Sequence, residues 1–166
     1  MGVHLSNLLE DLGDGLPNSK HMKIIIYTDG GARDNPGPAA LGVVISNEKN
    51  QPLKRYSEFI GEATNNEAEY AAVIFALKKV KALFGKKKIK NTEVEIRLDS
   101  ELIAKQLAHQ YKIQEENLGK LFLKIWNLLL DFGQVNFKYI PREENKEADR
   151  LVNEALDSQD RNQSFL

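Results

Sequence analysis

The chain has no cysteine among its 166 residues. That excludes a disulfide framework and thiolate metal sites, and it fits a cytoplasmic enzyme. Histidine is scarce too: His4 and His21 fall in the first 22 residues, and His109 sits far from the motifs described below. No Ser-His-Asp order, Walker loop or GxGxxG fingerprint is present. No apolar run approaches the roughly 20 residues that a membrane helix needs. Met1-Gly2-Val3-His4-Leu5 lacks the basic start and apolar stretch of a secretory signal. No membrane partner is therefore expected. Nor does one sign of charge dominate: 23 basic against 24 acidic residues leave a net charge of -1. Attraction to nucleic acid has to come from a local patch, not from the whole molecule.

What is present is ordinary in bulk, with 42% hydrophobic and 28% charged residues. This length suits one domain with a real core. Residues 1–22 read as an appended segment, because Gly13, Asp14, Gly15, Pro17, Asn18 and Ser19 are linker chemistry and His21-Met22 resembles a junction. Within it Leu5, Leu8, Leu9 and Leu12 have helical spacing. Without that segment the chain carries 22 basic and 21 acidic residues, a net +1. The domain is expected over residues 23–157, with 158–166 a polar, frayed tail and the whole a monomer.

The organising stretch is Ile24-Ile25-Ile26-Tyr27-Thr28-Asp29-Gly30-Gly31. A β-branched apolar run reads as a buried strand, and this one ends on a carboxylate followed by two glycines. Ligands of open α/β sheets bind outside the carboxyl ends of strands, which is where Asp29 would sit. Asp-Gly is also a common turn pair, so Asp29 by itself is equally well a turn residue. Leu41 to Ile45 and Leu53 to Ile60 read as two further strands, joined as an antiparallel hairpin. Thr64 and Glu67 then have capping-box spacing, which gives Glu67 a structural role and leaves Glu69 without one. The run Ala71 to Leu77 is apolar on every side, so Glu69 opens a buried helix, where an unpaired charge is costly. Thr92 to Ser100 alternates as a fourth strand that also ends on an acid, Asp99, and Ser100 can cap the helix from Glu101 to Ala108. A helix over Leu118 to Leu130 and a strand over Val135 to Ile140 follow. Trp126 is expected in the core, not as a base-stacking platform. The last helix is expected to start at Pro141-Arg142-Glu143-Glu144, with Asp149 at the edge of its apolar stripe.

Seven lysines and no acid lie between Lys78 and Lys90. They suit a solvated helix end, whose dipole favours cations, and equally a phosphate-attracting patch. If Asp29, Glu69, Asp99 and Asp149 converge, they would repel and raise one another's pKa values until hard divalent cations relieve them. Oxygen-only ligands favour Mg²⁺ or Mn²⁺ over zinc. Two such ions about 3.5–4 Å apart could serve an in-line phosphoryl displacement.

Tyr27-Thr28-Asp29-Gly30-Gly31 with Asn35-Pro36-Gly37, Thr64-Asn65-Asn66-x-x-Glu69, Asp99-Ser100 and Asn145-x-x-x-Asp149, in that order, resemble ribonuclease H, type 1. The resemblance spans about residues 23–157. It implies an α/β, ribonuclease H-like fold: a five-stranded mixed sheet in the order 3-2-1-4-5, strand 2 antiparallel, with flanking helices. It also implies endonucleolytic hydrolysis of the RNA strand of an RNA–DNA hybrid, leaving 5′-phosphate and 3′-hydroxyl ends. Asp29, Glu69, Asp99 and Asp149 would then hold two Mg²⁺ ions, with Mn²⁺ as a substitute. Asn35, Thr64, Asn65 and Asn66 would contact the hybrid, where short amides and hydroxyls reach phosphates and 2′-hydroxyls. Turn and cap chemistry is the competing account of Asn35 and Thr64. Double-stranded RNA is a second candidate duplex.

Two features depart from the family pattern. Members often carry a catalytic histidine in the loop before the last helix, whereas here that loop is the short Ile140-Pro141-Arg142-Glu143-Glu144. Arg142 is the candidate for contacting the scissile phosphate or assisting product release, although it cannot shuttle protons. The chain thus looks like the histidine-lacking branch of bacteria and archaea. The stretch from Gln110 to Asn117 also lacks the basic, Trp-bearing protrusion of some members, so substrate affinity is expected to be lower or to rest on the lysine cluster. Two other functions compete: another ribonuclease-H-like nuclease, and a catalytically silent hybrid-binding module.

Overall fold

A computed structural model describes residues 22–164. The leucine-spaced segment before Met22, and residues 165 and 166, lie outside the described residues. In chain order the elements are β1 (Met22–Ala32), β2 (Gly37–Asn47), β3 (Pro52–Ala63), α1 (Asn65–Ile89), β4 (Thr92–Leu98), α2 (Glu101–Leu107), α3 (Glu116–Leu129), β5 (Gln134–Tyr139) and α4 (Lys146–Ser164). They form one five-stranded sheet in the order β3-β2-β1-β4-β5. β2 runs antiparallel to both of its neighbours, while β1, β4 and β5 are parallel. Sheet order and direction agree with the fold that the motifs imply.

Neighbouring glycines on β1 show how the sheet is covered on both faces. A side chain on Gly30 would strike the backbone of Ala68 on α1, whereas one on Gly31 would point at Val152 on α4. Successive residues of a strand face opposite ways, so α1 and α4 lie on opposite faces. The main core fills the α1 side: Ile24, Ile26, Val43, Ile45, Val94, Ile96 and Leu98 from the sheet meet Tyr70, Val73, Leu77 and Val80 from the helix. Each such aliphatic side chain contributes roughly 1.5–3 kcal/mol by leaving water.

α1 begins as its sequence dictates. The Thr64 hydroxyl accepts from the Glu67 amide, and the Glu67 carboxylate accepts from the Thr64 amide at 2.9 Å. Gly85, at φ 76°, breaks the helix near its end. That position is in the left-handed region glycine tolerates best.

Several expectations are corrected here. β1 does not stop at Asp29 but continues three residues past it, paired with β2. Arg142–Glu144 is a separate single 3-10 turn, and α4 starts only at Lys146. α4 also continues through Ser164, beyond the point where the tail was expected to fray. Trp126 is 48% exposed. α3 packs on α1 with Leu118 and Ile125, and this turns Leu123 and Trp126 outward, the latter edge-on to His109. Met22, counted with the leading segment, is the first residue of β1 and pairs with Thr92. No helix among the described residues is long and apolar enough to cross a membrane.

Candidate active site

The parallel ladder between β1 and β4 ends at the pair Thr28–Leu98. The next residue on each strand is an acid, Asp29 and Asp99, so the two carboxylates emerge side by side where the pairing stops. From the α1 face Glu69 joins them, one turn into the helix, because Gly30 has no side chain to hold α1 away from β1. One carboxylate oxygen from each of Asp29, Glu69 and Asp99 lies within 4.8 Å of the others. Asp29 and Glu69 are buried, at 8% and 7% exposure, and Asp99 is half-buried.

Asp149 approaches from α4 and lines the same cleft, but it is not part of that tight trio. Its carboxylate accepts from the Arg142 guanidinium at 3.2 Å. Asn145 is buried at the start of α4, where its amide donates to the Thr28 carbonyl at 2.9 Å. This bond ties the strand carrying Asp29 to the helix carrying Asp149. The sequence motif contains Asn145, but only the tertiary contact reveals what it does.

Burial is the largest cause of the electrostatic strain. It pushes the Asp29 carboxyl up to about 7, with repulsion from Asp99 and then Asp149 adding to the rise. Glu69 is raised well above the ordinary carboxylate range by burial, then by Asp29 and Asp99. Asp99 is raised by burial as well, opposed by the Asn145 amide and the Arg142 guanidinium. In addition, Glu69 Oε2 is buried without a hydrogen-bond partner among the described residues. A close set of oxygen-only donors with one orphaned buried oxygen is the composition a hard divalent cation fits. Asp29, Glu69 and Asp99 could hold such an ion directly, with Asp149 at the margin.

A pH dependence follows for the metal-free protein. A carboxyl whose folded pKa stands near 7, against 3.8 unfolded, binds its proton more tightly in the folded state. Its contribution is fully present below the unfolded pKa and is lost as pH rises towards 7. With chelator present, the melting temperature should therefore fall between about pH 4 and 7 more steeply than in Asp29→Asn. Parallel curves for the two proteins would contradict the raised pKa.

The four residues expected to contact substrate divide. Asn35 and Asn65 act as clips: Asn35 Oδ1 accepts from the Asn65 amide at 3.0 Å, and Asn65 Oδ1 accepts from the Ala32 amide at 2.8 Å. Both are exposed, and their NH₂ groups have no partner among the described residues. Thr64 caps α1. Asn66 is half-buried on the first turn of α1, and it does not line the acidic cleft. Arg33 was not singled out by sequence reasoning, yet it lines the cleft beside the carboxylates. Its place just after the glycine pair that follows Asp29 was the available signal.

The outer part of the lysine cluster lies elsewhere. Lys86, Lys87, Lys88 and Lys90 precede Thr92, which pairs with Met22 at the opposite end of the sheet from Asp29. Counted along α1 at 1.5 Å per residue, the break at Gly85 is about 24 Å from Glu69, and Lys86 lies beyond it.

Residues 27–155 match the family model described as "Reverse transcriptase-like". A bifunctional protein of Mycobacterium tuberculosis is 36% identical over 138 residues, which are 82% of this chain and 36% of that protein. Ribonuclease HI of Halobacterium salinarum is 38% identical over 135 residues, 81% of this chain and 65% of that protein. The chain thus spans about a third of the first of these curated relatives and just under two thirds of the second. Among solved structures, LC11-RNase H1 from compost is 51% identical with a TM-score of 0.78, covering 82% of this chain and 97% of its own. The same protein has been solved in complex with an RNA/DNA hybrid, at 50% identity and a TM-score of 0.78, covering 82% and 98%.

Proposed function

The chain belongs to the ribonuclease H type 1 family, and on that premise we propose that it hydrolyses the RNA strand of RNA–DNA hybrids, cutting internally to leave 5′-phosphate and 3′-hydroxyl ends. The observation that carries this reading is the meeting of Asp29, Glu69 and Asp99 within 4.8 Å at the end of the β1–β4 ladder. The hybrid-bound relative supports the choice of substrate. Asp29, Glu69, Asp99 and Asp149 would hold Mg²⁺, as two ions, with Mn²⁺ as the alternative. Bound there, such ions supply charge neutralisation at the phosphoryl oxygens and a more acidic water.

The chain's own side chains do the positioning. Asn35 and Asn65 spend their carbonyl oxygens on the fold, which leaves NH₂ donors for phosphate and 2′-hydroxyl oxygens. The 2′-hydroxyl is what separates RNA from DNA at such a contact. Double-stranded RNA carries the same group and is the second duplex to test. Arg142 brings a permanent cation to the cleft margin, tethered by Asp149. It can hold a phosphate or hasten product release, but it cannot carry a proton. We take the enzyme to be monomeric and, lacking cysteine, cytoplasmic.

The test uses a hybrid labelled on its RNA strand, with Mg²⁺, with Mn²⁺ or with chelator. Internal cuts that require the cation are expected. Tight binding without cutting under every condition would mark a silent binding module instead. Arg142→Ala should lower kcat/KM roughly tenfold while leaving the melting temperature unchanged, as its 79% exposed side chain implies. An unchanged rate and affinity would show that Arg142 is a bystander.

A further inference from the structure

Arg33 follows β1 directly and lines the cleft that holds the four carboxylates. Its two terminal nitrogens are paired separately with Asp157 and Asp160, which lie about one turn apart near the end of α4. The three side chains are 38%, 59% and 55% exposed. Ion pairs open to water at this level contribute between nothing and about 1 kcal/mol, so stability does not explain a two-carboxylate grip. The grip does fix the direction of a planar, five-donor group beside a cleft proposed to admit a polyanion.

Spacing along α4 gives the arrangement a scale. Arg142 is tethered at Asp149, and Arg33 is tethered from Asp157, eight residues later and about 12 Å along the helix.

On the reading given under Proposed function, we infer that Arg33 contacts a backbone phosphate of the bound duplex, with Asp157 and Asp160 as positioning residues that hold its guanidinium on the cleft wall. The last turns of α4 thereby acquire a role in substrate grip.

The test measures hybrid affinity across a salt series in the full-length chain carrying Asp29→Asn, so that the substrate stays uncut. Against that parent, adding Arg33→Ala should weaken binding about five- to tenfold at 0.1 M salt and reduce the salt slope by about one phosphate contact, 0.7–0.9. Arg33→Lys should keep the parent slope. Asp157→Asn with Asp160→Asn keeps the cation but frees it from its hold, so it should keep the slope while weakening binding about two- to threefold, and unchanged affinity would overturn the positioning role. A parent slope in Arg33→Ala, or equal slope changes in Arg33→Ala and the double Asn variant, would overturn the inference. If the parent binds no hybrid at all, the proposed function fails first and takes this contact with it.

Discussion

Asp29→Asn is expected to lower hybrid cleavage by about 10³-fold or more while making the metal-free protein more stable. Three orders of magnitude correspond to roughly 4 kcal/mol of transition-state stabilisation. That is what one ligand of a shared cation site is asked to supply. The gain in stability comes from the same side chain. Asp29 is buried between Glu69 and Asp99 and its carboxyl is pushed up to about 7, so at pH 8 its charge opposes folding. The amide has nearly the same shape and no charge. Removing the strain should add on the order of 1–3 kcal/mol, or several degrees of melting temperature, for a domain of this size. Mg²⁺ should raise the melting temperature of the wild type and leave that of the variant nearly still. Cleavage at the wild-type rate would remove Asp29 from the site, and a variant less stable than the wild type would show that its charge is not strained.

Gly30→Ala is expected to be strongly damaging to both stability and the site. A Cβ at that position would lie 2.2 Å from both C and O of Ala68 and 2.4 Å from the Glu69 amide nitrogen. These are backbone atoms of α1 and cannot swing aside, so the helix must move away from β1. Overpacking of this kind costs on the order of 3 kcal/mol, about 6–12 °C. The damage should reach the chemistry as well, since lifting α1 separates Glu69 from Asp29. Gly31→Ala is the matched control: its new Cβ would meet Val152 Cγ1 at 3.5 Å, an ordinary contact, and it should melt close to the wild type. Equal melting temperatures for the two variants would mean that the close approach of α1 to β1 is unimportant.

Features set by neighbours in the chain were legible before any coordinates. The Thr64–Glu67 capping box needs only residues three apart, and it formed as expected. Ser100 likewise accepts from the Ile103 amide at the start of α2. Alternation along Thr92–Leu98 marked β4, and its burial alternates residue by residue. Features set by distant partners were not legible. Whether Trp126 is covered depends on which side of α3 meets α1, and Ile125 took that side. The outer part of the lysine cluster could not be placed relative to the acids until α1 was known to carry it to the other end of the sheet. Arg33 gave no sign of partners 124 and 127 residues away.

By itself the sequence determined the chemistry on offer: four carboxylates, with no thiolate or usable imidazole to compete. It also determined the elements, because periodicity, caps and glycines act over a few residues. Only the tertiary structure decided that three of those acids lie within 4.8 Å while the fourth stands at the margin beside Arg142. The register at which β4 stops pairing with β1, the closeness of α1 over Gly30 and the Asn145 tie to Thr28 together set that geometry. Each is a contact between segments far apart in the chain, so its energy depends on how whole elements pack and not on any short stretch of residues.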